Sequence, residues 1–196
     1  MNKKTIILIV VAVVLLGSFV WVKNVYNKLV TADEHAQSAW SQVENVYQRR
    51  ADLIPNLVAT VKGYAAHESE TLQSVVEARA KATQVTIDPS ELTSENIARF
   101  NDAQGELGNA LGRLLLIQEN YPDLKANQNF RDLQAQLEGT ENRIATERMK
   151  FNQAVKDYNT SIRQFPANII AASFGFEKKG YFEAKAGAED VPQVEF

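Results

Sequence analysis

The sequence predicts an all-α fold. A single N-terminal transmembrane helix continues into an elongated antiparallel helical bundle, followed by a short C-terminal helix and an extended tail. Three observations predict it. Residues 5–22, TIILIVVAVVLLGSFVWV, contain no charge, Pro, Asn or Gln. Downstream, apolar residues recur at the alternating three- and four-residue steps of a helix face, and strand-like alternation is scarce. Five prolines, Pro55, Pro89, Pro122, Pro166 and Pro192, divide the chain into long segments, as expected of a residue that disrupts helix interiors.

At ~1.5 Å per residue, the apolar stretch covers most of a hydrocarbon core of ~30 Å. In lipid every backbone group must be paired within the segment, so one isolated span must be a helix. Trp21, Val22, Lys23 and Asn24 close the stretch and suit a membrane interface better than a cleavage site. Val30-Thr31-Ala32 lies too far on to serve as one. The span therefore reads as a retained signal-anchor in contact with the lipid bilayer through residues 5–22. Its N-terminal flank carries the amine, Lys3 and Lys4 without an acid, whereas Lys23 and Lys28 are soon opposed by Asp33 and Glu34. The positive-inside rule then puts the N-terminus in the cytoplasm and the bundle outside. The organisation is a short flank (1–4), the transmembrane helix (5–22), the bundle domain (23–176) and a tail (177–196).

The stripe Val22, Tyr26, Leu29, Ala36, Trp40, Val43, Tyr47 leaves the span without a Gly or Pro between them, which predicts one continuous helix at least to Arg50. Two arguments then conflict. Pro55 disfavours helix at Ile54, yet the stripe keeps phase through Arg50, Ile54, Leu57, Val61, Tyr64 and Glu68. A kink satisfies the phase and a hairpin satisfies the lengths. The stripe runs on through Leu72, Val75 and Arg79 to a loop at residues 83–93, where Thr93 or Ser94 can cap the next helix. That helix carries Ile97, Phe100, Leu107, Leu111 and Leu114. Its Gly105, Gly108 and Gly112 predict close approach of a neighbouring backbone, because glycine otherwise costs a helix ~1 kcal/mol against alanine. Tyr121-Pro122-Asp123 is the next turn. Phe130, Leu137, Ile144, Phe151, Tyr158 and Phe165 then fall at steps of seven, a seam of coiled-coil type. Pro166 opens a short apolar helix over residues 167–176. From Lys178 onward the composition predicts an extended or disordered tail.

The chain carries a net charge of -3, no cysteine and two histidines, His35 and His67. The charge gives no electrostatic footprint for nucleic acid. Without cysteine there is neither a disulfide nor a thiol nucleophile, and no zinc pattern can be assembled. Ser173 lacks the flanking glycine of a nucleophile elbow. No phosphate loop, calcium loop or dinucleotide fingerprint is present. The sequence therefore predicts no catalytic, metal or cofactor-binding residue and no cofactor.

Charged residues do fall in phase with the apolar stripes. Arg50, Glu68 and Arg79 do so early in the chain, and Glu141, Glu147 and Arg148 lie beside the long seam. Charge inside a bundle must be paired and hydrogen-bonded. Ion pairs fixing helix register, snorkelling at bundle edges and a functional pocket are the three readings of that pattern.

The chain resembles the LemA family of bacterial membrane proteins. The likeness rests on the N-terminal span, Trp40, RRADLIPNLVATVKGYAAHE (residues 49–68) and Glu77-Ala78-Arg79-Ala80. It continues through QENYPDLKANQNFRDLQAQLEGTENRIATERMKFNQAVKDYN (118–159), FPANIIAASFGF (165–176) and Tyr181-Phe182-Glu183. The resemblance implies a membrane-anchored helical bundle and carries no enzymatic mechanism with it. With the stripe analysis it suggests that Arg50, Asp52, Asn56, Glu68, Arg79, Glu141 and Arg148 form one polar network inside the bundle. The expected function is a non-enzymatic scaffold or partner-binding protein at the inner membrane, acting with a protein partner or as a homo-oligomer. The alternatives are an enzyme using buried carboxylates and a protein that binds or remodels the membrane surface, with residues 167–176 dipping into the interface.

Overall fold

A computed structural model describes residues 2–183. They form six α-helices and a 3-10 turn, with no strand among the described residues. The first helix, α1 (Lys3–Tyr64), contains 62 residues. It holds a window long and apolar enough to cross a membrane, none of which is buried within the protein. The buried face begins at Leu29 and continues through Ala36, Trp40, Val43, Tyr47, Arg50, Ile54, Leu57 and Val61.

Pro55 lies inside α1 and is exposed. Of the two readings open at this proline, a kink and a hairpin, the hairpin is not observed, and α1 stays helical through it. A proline cannot donate to the carbonyl four residues back, which here belongs to Ala51. Arg79 Nε donates to that oxygen at 2.8 Å. The carbonyl left over by Pro55 is thus satisfied from a different helix, and α1 continues for another nine residues to Tyr64. The chain reverses later, at residues 65–68, where Ala65 is buried and its N–H bonds Val61 O.

The next helix, α2 (Ser69–Gln84), runs back beside α1, and α3 (Ser94–Leu116) returns beside α2. Thr93 caps α3 by accepting from Asn96 N–H, satisfying one of the free donors of the first turn. The expected turn around Pro122 consists of the 3-10 turn Ile117–Asn120 and the single-turn helix α4 (Pro122–Ala126), with Pro122 in its first turn. Asn127 then caps α5 (Gln128–Arg163) through Phe130 N–H. This long helix packs antiparallel along α1, placing Phe130 in the cluster with Leu57 and Val61, Phe151 against Trp40, and Tyr158 with Leu29. The heptad residues Phe130, Leu137, Ile144, Phe151 and Tyr158 are all buried. Phe165 is not, because α5 ends at Arg163 before the next step of the seam.

Gly108 and Gly112 differ from expectation, since a methyl group added at either would meet no atom within 4 Å. They face open space, not a neighbouring backbone. The last helix, α6 (Ala167–Ser173), rests Ile170 and Ala171 against Leu29 and Ile162.

Residues 177–183, expected to be loose tail, are extended and bound to the bundle. Lys179 and Phe182 are buried. The segment enters the groove beside the start of α3, where Gly180 N–H donates to Leu92 O at 2.8 Å. Only glycine fits there, because a Cβ at position 180 would lie 2.6 Å from Ser94 Cα. Residues 1 and 184–196, including the Pro192 to Phe196 ending, lie outside the described residues.

Candidate functional site

The chemically distinctive part of the molecule is its waist, where one arginine ties several helices. Arg50 is buried to 3% exposure on the inward face of α1. Its phase with Tyr47 and Ile54 leaves the side chain no route to water, so its charge must be met inside. One guanidinium nitrogen donates to Glu141 Oε1 on α5 at 2.8 Å. The other donates to Gln104 Oε1 on α3 at 2.6 Å and to the Gln104 carbonyl at 3.2 Å. Gln104 Nε2 passes the chain of bonds on to Ala82 O, at the end of α2, at 3.2 Å. A single cation therefore links α1, α3 and α5 directly and reaches α2 through one amide. Arg50 Nε has no partner among the described residues. The Glu141 side chain is half exposed, so the pair lies at the edge of the core.

The seven polar residues flagged in the sequence do not all meet. Arg50 and Glu141 are in contact. Arg79 joins them through the backbone, on the Ala51 carbonyl next to Arg50. Arg148 stacks its guanidinium 4.4 Å from the Phe182 ring centre and donates to Glu183 O at 3.4 Å. Tyr47 stands between the two arginines. Its ring lies 5.0 Å from the Arg50 guanidinium, and burial pushes its phenol above the ordinary range while Arg148 and Arg50 oppose the shift. Glu68 is separate, accepting from Tyr121 O–H at 3.1 Å near the far end of the bundle. Asp52 and Asn56 are exposed on α1, where Asp52 accepts from Gln48 at 2.8 Å.

Beside the arginine lies an aromatic centre. Trp40 packs edge-on to Phe100 and Phe151 and nearly parallel to Phe182, with ring centres 5.1, 5.4 and 5.9 Å away. Phe182 arrives there because two asparagines seven residues apart on α5 grip the backbone of the C-terminal segment. Asn152 donates to Phe182 O and accepts from Phe182 N–H, both at 2.9 Å. Asn159 does the same for Lys179, also at 2.9 Å. Each amide thereby takes the place of a neighbouring strand for one residue. Lys179 Nζ pairs with Asp33 Oδ1 at 2.8 Å and lies 5.1 Å from the Tyr158 ring centre. Tyr158 donates its hydroxyl to Glu177 O at 2.8 Å. Burial, with Asp33 and Glu177 adding to it, pushes that phenol up to about 12.

Gln104, Asn152, Asn159, Asp33 and Lys179 were not singled out in the sequence. Gln104 could have been, since it occupies an apolar phase position between Phe100 and Leu107. Asn152 and Asn159 follow Phe151 and Tyr158 directly, so their spacing repeats that of the seam. Nothing in the sequence marks Lys179. No group of three or more His, Cys, Asp or Glu able to hold a metal occurs among the described residues. What this arrangement does chemically is neutralise and fix. Glu141 offsets a buried cation, and each asparagine amide is spent on backbone.

These features define a class, an all-α bundle built on one long N-terminal helix with an apolar lead, cross-tied by a buried arginine and closed by its own C-terminal segment. The chain belongs to the LemA family, which it matches over residues 39–196. Among its relatives are magnetosome proteins MamQ 1 and MamQ 2 of Paramagnetospirillum magneticum, each 30% identical over 86% of this chain and 68% of theirs. MamQ of Magnetospirillum gryphiswaldense is 31% identical with the same coverage. Protein LemA of Metamycoplasma hominis is 24% identical over 81% of this chain and 68% of its own.

Proposed function

We propose that this protein is a non-enzymatic, membrane-anchored scaffold of the bacterial inner membrane that holds a protein partner or a second copy of itself. Residues 5–22 span the bilayer, the N-terminus is cytoplasmic and the bundle is outside. The observation that carries this reading is the continuity of α1, whose apolar lead and bundle-forming face belong to one uninterrupted helix. A helix without a joint transmits orientation, so a surface on the bundle is presented at a fixed attitude to the membrane. The polar groups at the waist support the same reading, because the buried cation is met by Glu141 and Gln104 on neighbouring helices.

Two measurements test it. Thr86, exposed in the loop between α2 and α3, is replaced by cysteine, the sequence having none of its own. Labelling of Thr86→Cys by an impermeant thiol reagent before the inner membrane is lysed supports the orientation, and labelling only afterwards overturns it. The scaffold role is tested by crosslinking and purifying the full-length protein from membranes. Defined crosslinked species are expected, and insertion of glycines between Lys23 and Asn24 should abolish them while membrane insertion persists. Species that survive the insertion unchanged refute the role given to the rigid exit.

A further inference from the structure

The bundle exposes an apolar surface at the end nearest the apolar lead of α1. Phe165 is 81% exposed, Phe174 57% and Ile169 56%. Phe165 belongs to the turn that ends α5, Ile169 to α6, and Phe174 directly follows α6. Ile170 and Ala171 of the same short helix are buried, so α6 is held to the bundle by one side and carries apolar residues on the other.

The position of α6 along α1 is fixed by its contacts. The cluster containing Ile170 and Ala171 packs against Val22, Val25 and Leu29, and the Phe174 ring centre lies 4.9 Å from that of Tyr26. Antiparallel packing leads to the same level for Phe165, since α5 has reached Leu29 by Tyr158 and continues toward the apolar lead. Val22 is the last residue of the uncharged stretch. Counting from it at ~1.5 Å per residue, α6 lies within ~10 Å of the end of the span. The headgroup layer outside each face of the hydrocarbon core is ~5–8 Å deep. Exposed basic residues stand at this level, Lys23 and Lys28 on α1, Arg163 at the end of α5 and Lys178 after α6, with Glu177 as an exposed acid among them. Apolar side chains beside lysine and arginine at headgroup depth are the pattern of an interfacial segment.

We propose that α6 and the α5–α6 turn are seated in the headgroup layer of the leaflet from which α1 emerges, with Phe165, Ile169 and Phe174 against lipid. The occupant of this apolar face is the bilayer that already surrounds the span. Continuity argues for it, because the exposed surface of the span and that of α6 meet at Val22 and Tyr26. The inference rests on residues 5–22 being a transmembrane helix. The bundle then touches the membrane at two places, the helix and this foot, which fixes rotation about the helix axis as well as tilt.

Full-length protein is reconstituted into vesicles of phosphatidylethanolamine and phosphatidylglycerol, with an environment-sensitive dye on a single cysteine. Ile169→Cys and Phe174→Cys report the foot. Val14→Cys reports the span, and Leu116→Cys reports an exposed apolar position at the far end of the bundle. Nitroxide lipids labelled at the headgroup should quench the dye at 169 and 174, deep-chain nitroxide should quench the dye at 14, and neither should quench it at 116. Quenching at 14 with a dye at 169 as exposed to water as that at 116 overturns the seating and leaves the anchor standing. Blue-shifted emission at 169 without quenching by lipid means that protein covers the foot, and also overturns it. Absence of quenching at 14 removes the span and the seating together. A second measurement needs no substitution. A photoactivated carbene borne on lipid should label residues 165–174 of the unmodified protein as well as 5–22, and labelling confined to 5–22 refutes the proposal.

Discussion

The pairing of Arg79 with the Ala51 carbonyl can be tested by a double-mutant cycle with Pro55. Ala51 is 4% exposed, so its carbonyl has little access to water once Arg79 Nε, 2.8 Å away, is removed. Leaving a buried acceptor unpaired costs ~1–3 kcal/mol. Arg79→Met preserves most of the packing of the stem and removes only the donors, so a loss of that size is expected in the urea transition of the full-length protein in detergent, followed by far-UV circular dichroism. Pro55→Ala restores the N–H that the Ala51 carbonyl lacks and removes the ring that crowds it. It should stabilise the protein, by less than the ~3 kcal/mol cost of an interior helix proline, because the more flexible unfolded chain returns ~0.4–1 kcal/mol. The decisive quantity is the coupling. With alanine at position 55 the carbonyl has its own donor, so Arg79→Met should cost ~1–2 kcal/mol less than in the parent. An equal cost in both backgrounds refutes the claim that Arg79 compensates for the proline.

Three further outcomes are expected. Arg50→Ala should destabilise the bundle by ~3–5 kcal/mol, and Arg50→Met by less, because methionine keeps most of the packing of the stem and the half-exposed Glu141 regains water, leaving the unpaired Gln104 acceptors at ~1–3 kcal/mol; equal losses in the urea transition would contradict this. Gly180→Ala forces a methyl group to within 2.6 Å of the α3 backbone and should free residues 177–183, read as loss of amide-exchange protection at Lys179 and Phe182; retained protection would refute the close fit. On the alkaline side, the Tyr158 phenol is raised from 10.0 to about 12. The unfolded chain ionises first, so stability present below pH 10.0 is lost as pH rises toward about 12. Tyr158→Phe should flatten that part of a pH–stability curve, and an unchanged slope would show that Tyr158 does not carry it.

The helices were legible in the sequence because each has a long apolar stripe and most have marked ends. Thr93 was readable as a cap and Pro122 as a turn, while the cap at Asn127 emerged only from the structure, and the face of α1 from Leu29 to Val61 is the stripe read from spacing alone. The turn at residues 65–68 was hidden, since Ala65-Ala66-His67 contains no Gly or Pro and the stripe keeps phase across it. Pro55 could not be settled locally because the donor that decides it, Arg79, is on another helix. Arg50 was identifiable as a charge at a core phase. Asp52 and Asn56 are one turn apart on the outer face of the same helix and exposed, although the stripe and the motif together had placed them in the network. The clasped segment 177–183 has no periodicity of its own, and only the seven-residue spacing of Asn152 and Asn159 hints at it. The segment makes most of its backbone bonds to the side chains of Asn152 and Asn159 and a single one to the Leu92 carbonyl, so among the described residues there is no partner strand for a pattern to reveal.

The clasp has a consequence for biosynthesis. Trp40 is made early and Phe182, which stacks on it, is made 142 residues later by the difference of their numbers. At ~5–20 residues per second the ribosome needs roughly 7–30 s to supply the missing ring. Until then the faces of Trp40, Phe100 and Phe151 that meet Phe182 lack their cover. A chain released short of Gly180 would keep an aromatic opening beside α3, the kind of surface that chaperones and proteases sample. Residues 177–183 thus complete the aromatic centre only late in synthesis.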